Sequence, residues 1–335
     1  MKLKALFLAA TLAAGALSLP AHAADTRLIR FGYGLNQDSN QGRAVQVFAD
    51  EVAKLSGGKM KVRAIGAAAL GSDIQMQQAL IGGAQEMMVG STATLVGITP
   101  EMALWDTPFL FNSGAEADQV LDGKTGQQIM DKLGDKGLVG LVYWENGFRN
   151  LTNSKKPVQS AEDFKGLKLR VMQNNVFLDT FQRLGANAVP LPFSELFTAL
   201  ETKTVDGQEN PYNTILSSKF YEVQKYLSVT NHVYSPWIVT ASKKWWDGLS
   251  ADERGILMQA AKVSRDFERK DTRAEADKAL AQLKADGMQV NTVSADQVQQ
   301  MRGTIAPVNE QIKQAVGPEL WQAVQDQLKE IRAKS

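Results

Sequence analysis

The chain contains no cysteine, and only two of its 335 residues are histidine. Without cysteine there can be no disulfide, no thiolate nucleophile and no Cys-ligated metal. One histidine, His22, falls in the N-terminal leader. That leaves His232 alone in a mature chain, so a His-rich metal site is excluded too. Charge of one sign is also missing: 37 Lys and Arg stand against 36 Asp and Glu. Such a balance gives no general attraction to nucleic acid or to an anionic membrane. There is no low-complexity segment and no repeat at solenoid period. No G-x-S-x-G elbow, H-E-x-x-H helix or phosphate loop occurs, which argues against the common hydrolase and nucleotide sites.

Long apolar runs are confined to the start. Lys2 and Lys4, the apolar stretch Ala5 to Leu19 and the small-x-small triplet Ala21-His22-Ala23 read as a cleavable secretory signal over residues 1–23. Pro20 closes the run short of the about twenty residues that a membrane span needs. Cleavage removes two lysines and leaves a formal charge of about −1. With no cysteine in the leader, a lipid anchor is not expected. The reading is therefore a soluble protein exported to the periplasm, held together by its core alone and long enough for two domains.

The stretch from Glu162 to Pro211 organises the rest. Its periodicity predicts strand, helix, strand, helix, strand, and that alternation predicts a mostly parallel sheet covered on both faces. Arg170, between Leu169 and Val171, should then be close to buried. A guanidinium cannot shed its charge, so a buried one needs an anionic partner. Glu162 or Asp206 could supply it internally, or the missing anion could be a ligand; the residues alone leave both open. Upstream, Arg27 to Val89 repeats the β-α-β-α-β order and places a crevice at the strands' carboxyl ends. Candidates there are Asn36, Ser72, Ser91 and Thr92, able either to bond substrate hydroxyls or to cap helices. Gly32-x-Gly34 has Gln37 where a dinucleotide fingerprint needs a third glycine, and reads better as clearance at a crevice edge.

Leu138 to Trp144 should be a buried strand leaving the first domain through Glu145-Asn146-Gly147-Phe148-Arg149. Val233 to Trp237 should be an extended return. Two crossings predict two domains, each discontinuous: residues 24–146 plus 236–275, and residues 147–235 plus 276–335, with a ligand cleft between. Ser250 and Glu253 form a capping box before a segment with neither Gly nor Pro from 256 to 286. Unbroken, this helix would be on the order of 50 Å long; a break near Asp271-Thr272 is the alternative. Two further helices near the C-terminus should pack on the second domain.

The runs GLKLRV and GANAVPLPFSELFTALETKTVDGQENP closely resemble the solute-binding subunits of tripartite ATP-independent periplasmic (TRAP) transporters, the DctP family. The resemblance runs from the leader to beyond Trp246. It implies a two-domain periplasmic-binding-protein fold crossed by one long helix, with no cofactor, no metal and no catalysis. It also implies roles for particular residues. Arg170 would clamp the ligand carboxylate, Arg149 would make a second carboxylate or hydroxyl contact, Asn210 would hydrogen-bond the same carboxylate, and Phe193 would lie over the ligand as a lid. Glu145 and Trp237, with Trp105, Tyr143 and Trp144, could wall the pocket or simply pack, and Gln208 and Glu209 should tie the hinge strand. Some family members that take larger sugar acids carry carboxylates near the Ser72 and Ser91 positions, so hydroxyls here argue for a smaller ligand.

The expected function is capture of a small organic acid, either a C4-dicarboxylate or a hydroxy- or oxo-carboxylate such as pantoate or erythronate. A monomer would deliver it to the small and large subunits of an ion-driven TRAP permease, with no nucleic-acid partner. Two rivals stand beside it: a ligand-presenting sensor subunit for a membrane kinase, and a periplasmic lyase or hydrolase using Arg170 with Glu145 or Glu209.

Overall fold

The computed structural model describes residues 26–334; the leader assigned to residues 1–23 lies outside them. In chain order the elements begin with β1 (Arg27–Tyr33), α1 (Asn40–Leu55), β2 (Met60–Ile65), α2 (Asp73–Gly82) and β3 (Met87–Ser91). Short 3-10 turns at Thr92–Leu95 and Pro100–Asp106 follow, then α3 (Gly114–Leu121), α4 (Lys124–Asp131) and β4 (Leu138–Phe148). The central stretch supplies β5 (Asn150–Asn153), β6 (Lys168–Val171), α5 (Asn175–Arg183), β7 (Asn187–Pro190), α6 (Leu196–Glu201) and β8 (Gly207–Asn210). The chain continues through α7 (Tyr212–Ser217), β9 (Tyr226–Val229), β10 (Tyr234–Ser242) and α8 (Lys243–Asp247). It ends with α9 (Ala251–Ala285), β11 (Gln289–Thr292), α10 (Ala295–Val316) and α11 (Pro318–Lys334).

Two sheets result, ordered β2-β1-β3-β10-β4 and β11-β9-β5-β8-β6-β7. The predicted β-α-β units pair in parallel, β1 with β2 and β3, and β6 with β7 and β8. The strands at the crossings run antiparallel instead: β10 against β3 and β4, and β5 against β8 and β9. A chain that steps straight from one sheet into the other cannot use a right-handed helical crossover there, and the direction reverses. At the first step Gly147 sits at φ +115, where a side chain would be strained.

Local signals set the helix ends. The Ser39 hydroxyl accepts the Gly42 N–H at 3.1 Å and caps α1, whose buried stripe Ala44, Val45, Phe48 and Val52 faces the first sheet. Burying Phe48 against Phe31 edge-on, at 5.2 Å between centroids, contributes on the order of 2 kcal/mol per ring. Ser72 with Gln75 and Ser250 with Glu253 make reciprocal capping boxes.

Helix α9 is unbroken over 35 residues. Its expected weak point is where it is most firmly held. The Thr272 hydroxyl accepts from Asn40 Nδ2 at 2.9 Å and donates to Glu268 Oε1 at 2.7 Å, while its carbonyl accepts from Asn213 Nδ2 at 2.9 Å. Asn40 opens α1 of the first lobe and Asn213 lies in α7 of the second, so one turn of α9 is bonded to both.

The tail differs from expectation. Helix α10 packs on α5 and on the Pro100–Asp106 turn, touching both lobes, and α11 packs on α3 and α4 of the first lobe rather than on the second. The buried face of α11, Leu320, Val324 and Leu328, joins the core of α3 and α4, and Arg332 in its last turn pairs with Glu116 of α3 and donates to the Leu110 carbonyl at 2.7 Å.

Candidate functional site

Between the two sheets lies a cavity of about 50 Å³. At one water per about 10–15 Å³ of such space, that is room for a few waters or one small acid. Its walls carry Arg170, Arg149, Asn210 and Phe193 from the second lobe and Ser72, Ser91 and Trp237 from the first.

Arg170 stands on β6 with 3 % of its surface exposed. Its Nε donates to the Leu191 carbonyl at 2.8 Å, and among the described residues it has no ion-pair partner. The internal alternatives are spent elsewhere. Glu162 pairs with Lys165, while Asp206 accepts the Lys168 N–H and faces Lys155. Arg170 therefore presents a buried, charged fork whose two terminal nitrogens have no protein acceptor. Burial pushes its guanidinium down to about 10, with Glu209 and Asp73 pulling upward and Arg149 pushing further down.

Arg149 differs. It is fully buried just after β4 and is bound by Glu209 of β8: its Nε and Nη2 both meet the carboxylate, and Nη2 also meets the Glu209 carbonyl. Only Nη1 is left without a partner among the described residues. His232 Nε2 lies 2.9 Å from the same carboxylate and its Nδ1 lies 2.8 Å from the Thr230 hydroxyl. Burial alone would raise the Glu209 pKa, but Arg149 and His232 outweigh it and bring it down to about 2. So Glu209 neutralises Arg149, and the free positive charge of the cavity is that of Arg170.

Asn210 ends β8, pairs in register with Asn150 and donates through Nδ2 to Gln208 Oε1 at 2.6 Å. Phe193 packs against hydrophobic clusters of both lobes, with its ring 5.9 Å from that of Phe220. The Ser72 hydroxyl caps α2, accepting from Gln75, and the Ser91 hydroxyl accepts from Ala93 N–H at 3.3 Å.

Three nominated residues are placed elsewhere. Asn36 donates across the lobes to the Ser217 carbonyl at 3.2 Å and does not line the cavity. Thr92 is fully buried and donates to the Pro236 carbonyl at 3.3 Å. Glu145 points into the first lobe, where it holds Arg273 of α9 at 2.5 Å and accepts from Tyr234 Oη at 3.2 Å. This last pairing also removes Glu145 as an acid–base partner for Arg170. Trp105, Tyr143 and Trp144 are fully buried core, with Trp105 and Tyr143 edge-to-face at 5.9 Å.

Sequence reasoning did not nominate Asp73, Gln41, Thr94, Gln173 or Thr214, which also line the cavity, and of these Asp73 alone carries a charge. It is the first residue of α2, and its Oδ2 accepts the Ser91 N–H at 3.0 Å. Burial raises its pKa, opposed by that N–H and by Arg170. Gly90 makes room for it, because a Cβ there would lie 3.0 Å from Asp73 Oδ2. Both serines are engaged as caps, and a carboxylate stands beside them. Its signal was its place at the start of a helix that follows a strand's carboxyl end.

Two lobes, a cleft and one unpaired buried cation suit a binding protein. Residues 31–315 match the family described as bacterial extracellular solute-binding protein, family 7, or DctP. The chain belongs to the DctP family. Its relatives include the 2,3-diketo-L-gulonate-binding periplasmic protein of Escherichia coli, 38% identical over 86% of each chain. The sugar acid binding protein of Advenella mimigardefordensis, solved with galactonate, is 51% identical, with TM-score 0.90 over 91% of this chain and 99% of that one. A TRAP solute-binding protein from Polaromonas, solved with D-erythronate, is 39% identical with TM-score 0.86 over 89% and 98%. The fold is thus the two-lobed one of TRAP solute-binding proteins. DctP proteins are solute-binding proteins, and the Escherichia coli relative is periplasmic by name. No described helix of this one is long and apolar enough to cross a membrane.

Proposed function

We propose that this protein captures a hydroxylated monocarboxylate, a sugar acid of the aldonate class, in the periplasm after removal of its leader. Acting as a monomer, it hands the acid to the membrane subunits of a TRAP transporter. The observation that carries this reading is the buried Arg170 fork with no anionic partner among the described residues. A planar fork holds a carboxylate through two parallel N–H bonds, which supplies orientation as well as charge.

The other charges argue for one carboxylate rather than two. Glu209 already neutralises Arg149, and Asp73 on the opposite wall would repel a second carboxylate. A neutral hydroxyl, in contrast, can donate to Asp73. Arg149 Nη1 and Asn210 would complete the contacts to the carboxylate, and Phe193 would cover it. The named ligands of the galactonate- and erythronate-bound relatives are of this class. The lobes would close as bodies about the steps between Phe148 and Asn150 and between Val229 and Tyr234. The protein's own groups then bind, orient and desolvate the acid, with no bond made or broken.

A thermal-shift panel on residues 24–335 tests this. Ligand that binds only the native state raises the midpoint with the logarithm of its concentration over Kd. D-galactonate, D-erythronate or pantoate should raise it; galactose should not, and succinate should do so less. A larger shift with succinate than with every hydroxylated monocarboxylate would overturn the proposal, as would no shift at all in protein denatured, stripped of ligand and refolded.

A further inference from the structure

Beside the cavity, a carboxyl group is buried with no ion-pair partner among the described residues. Asp106 closes the Pro100–Asp106 turn of the first lobe and is 1 % exposed. Its Oδ2 accepts from Asn174 Nδ2 at 2.7 Å; its Oδ1 has no partner among the described residues. Asn174 belongs to the second lobe, three residues after Val171. It caps α5 by accepting the Phe177 N–H at 3.0 Å, and the same Nδ2 donates to the Ala93 carbonyl at 3.1 Å. One amide thus ties the start of α5 to two turns of the opposite lobe.

The surroundings of Asp106 offer no compensating charge of their own. The Thr92–Leu95 turn has no titratable residue. The buried residues of α10 are Met301, Ile305, Val308, Ile312 and Val316, and those of α5 are Phe177, Thr180 and Phe181. Strand β10 contributes only the neutral Tyr234, and the turn's own Glu101 faces outward to Lys132. The charges that reach Asp106 are Arg149, which favours its ionised form, and Glu209, which opposes it; these two are paired with each other, and His232 is bonded to the second. An isolated buried carboxylate is costly, and the neutral form avoids that cost. Burial accordingly raises the Asp106 pKa to about 8.

We propose that Asp106 and Asn174 are positioning residues for ligand capture: an interlobe latch, its carboxyl neutral, that seats the β6–α5 junction on the first lobe and makes closure take up a proton. The proposal rests on the binding-protein reading but names groups that the ligand does not touch. The sign follows from linkage. A carboxyl of ordinary acidity when the lobes part, and of raised pKa when they meet, binds a proton on closing at any pH between those two values. Closure, and with it affinity, is then strongest at low pH and weakens as pH rises toward about 8.

The test is titration calorimetry with D-galactonate from pH 5.5 to 8.5 on the full mature chain and on Asp106→Asn, Asn174→Ala and Asp73→Asn. For the unaltered protein, Kd should rise with pH, by at most tenfold per unit. Asp106→Asn, a neutral isostere, should bind as well as the parent at pH 5.5 and lose most of that slope; Asp73→Asn should retain the part that Asp106→Asn removes. Asn174→Ala should weaken binding at least tenfold at pH 5.5. Alongside, small-angle X-ray scattering of the ligand-free protein should show the lobes parting, as a rising radius of gyration, from pH 5 to 8 and do so less in Asp106→Asn. Equal slopes in the parent and Asp106→Asn would overturn the latch. If galactonate binds no variant, the ligand assignment fails, and identical scattering profiles in the parent and Asp106→Asn would by themselves refute the latch.

Discussion

Replacing Arg170 by methionine should move stability and affinity in opposite directions. In the protein without ligand, Arg170 is a cation held in a buried site with one carbonyl acceptor and, among the described residues, no ion-pair partner. The fall of its pKa from the ordinary guanidinium value to about 10 corresponds to about 3 kcal/mol against the charged form. Methionine fills similar volume without that cost, so the ligand-free variant should melt a few degrees higher, each kcal/mol being worth about 2 °C in a chain of this size. In the complex, the same change deletes two charge-assisted hydrogen bonds at about 1.5–3 kcal/mol each. Together they amount to about 3–6 kcal/mol, or a factor of about 10² to 10⁴ in Kd. Arg170→Lys keeps the charge but not the fork, and should recover only part of the affinity. Differential scanning fluorimetry without ligand and calorimetry with it read the two effects separately. A methionine variant that melts lower than the parent yet binds as tightly would refute the argument, because Arg170 would then be a structural residue.

The remaining predictions concern its neighbours. Glu209→Gln should cost about 3–5 kcal/mol in urea at pH 7 by leaving Arg149 buried and unpaired. Because the Glu209 pKa is depressed to about 2, its contribution is complete above the ordinary carboxylate value of about 4.3 and is lost as pH falls toward 2. The parent should therefore weaken more steeply than the variant between pH 4.3 and 2.5, and parallel profiles would contradict the pairing. Gly207→Ala puts a Cβ 2.3 Å from the Thr152 carbonyl in the β5–β8 ladder and should destabilise by ~2 kcal/mol or more, whereas alanine at Gly58, with nothing near its Cβ, meets only the strain of its positive φ. Asp73→Leu should weaken hydroxylated acids at least tenfold while sparing acids without hydroxyls, seen as a change in the order of a ligand panel; a uniform loss would make Asp73 structural.

The parts of this molecule legible in the sequence are those set by neighbours in the chain. The β-α-β units, the α9 capping box and its uninterrupted run all follow from local pattern. A charge inside an apolar strand singled out Arg170 for the same reason. The parts that escaped depend on residues far apart. Glu145 looked like a crevice carboxylate until Arg273, 128 positions on, claimed it. Arg149 looked free until Glu209, 60 positions away, enclosed it. Asp73 was hidden by an ordinary role, since an acidic residue in the first turn of a helix is what the helix dipole alone would favour. The docking of α11 on the first lobe joins residues as far apart as Arg332 and Glu116, 216 positions, and periodicity shows the helix's apolar face but not which lobe it meets.

The most direct test of the central claim is a crystal structure of the mature protein with D-galactonate. The account predicts the carboxylate on the two terminal nitrogens of Arg170, with at least one hydroxyl on Asp73. A galactonate turned end for end, with its carboxylate away from Arg170, or one bound outside the cleft, would contradict it.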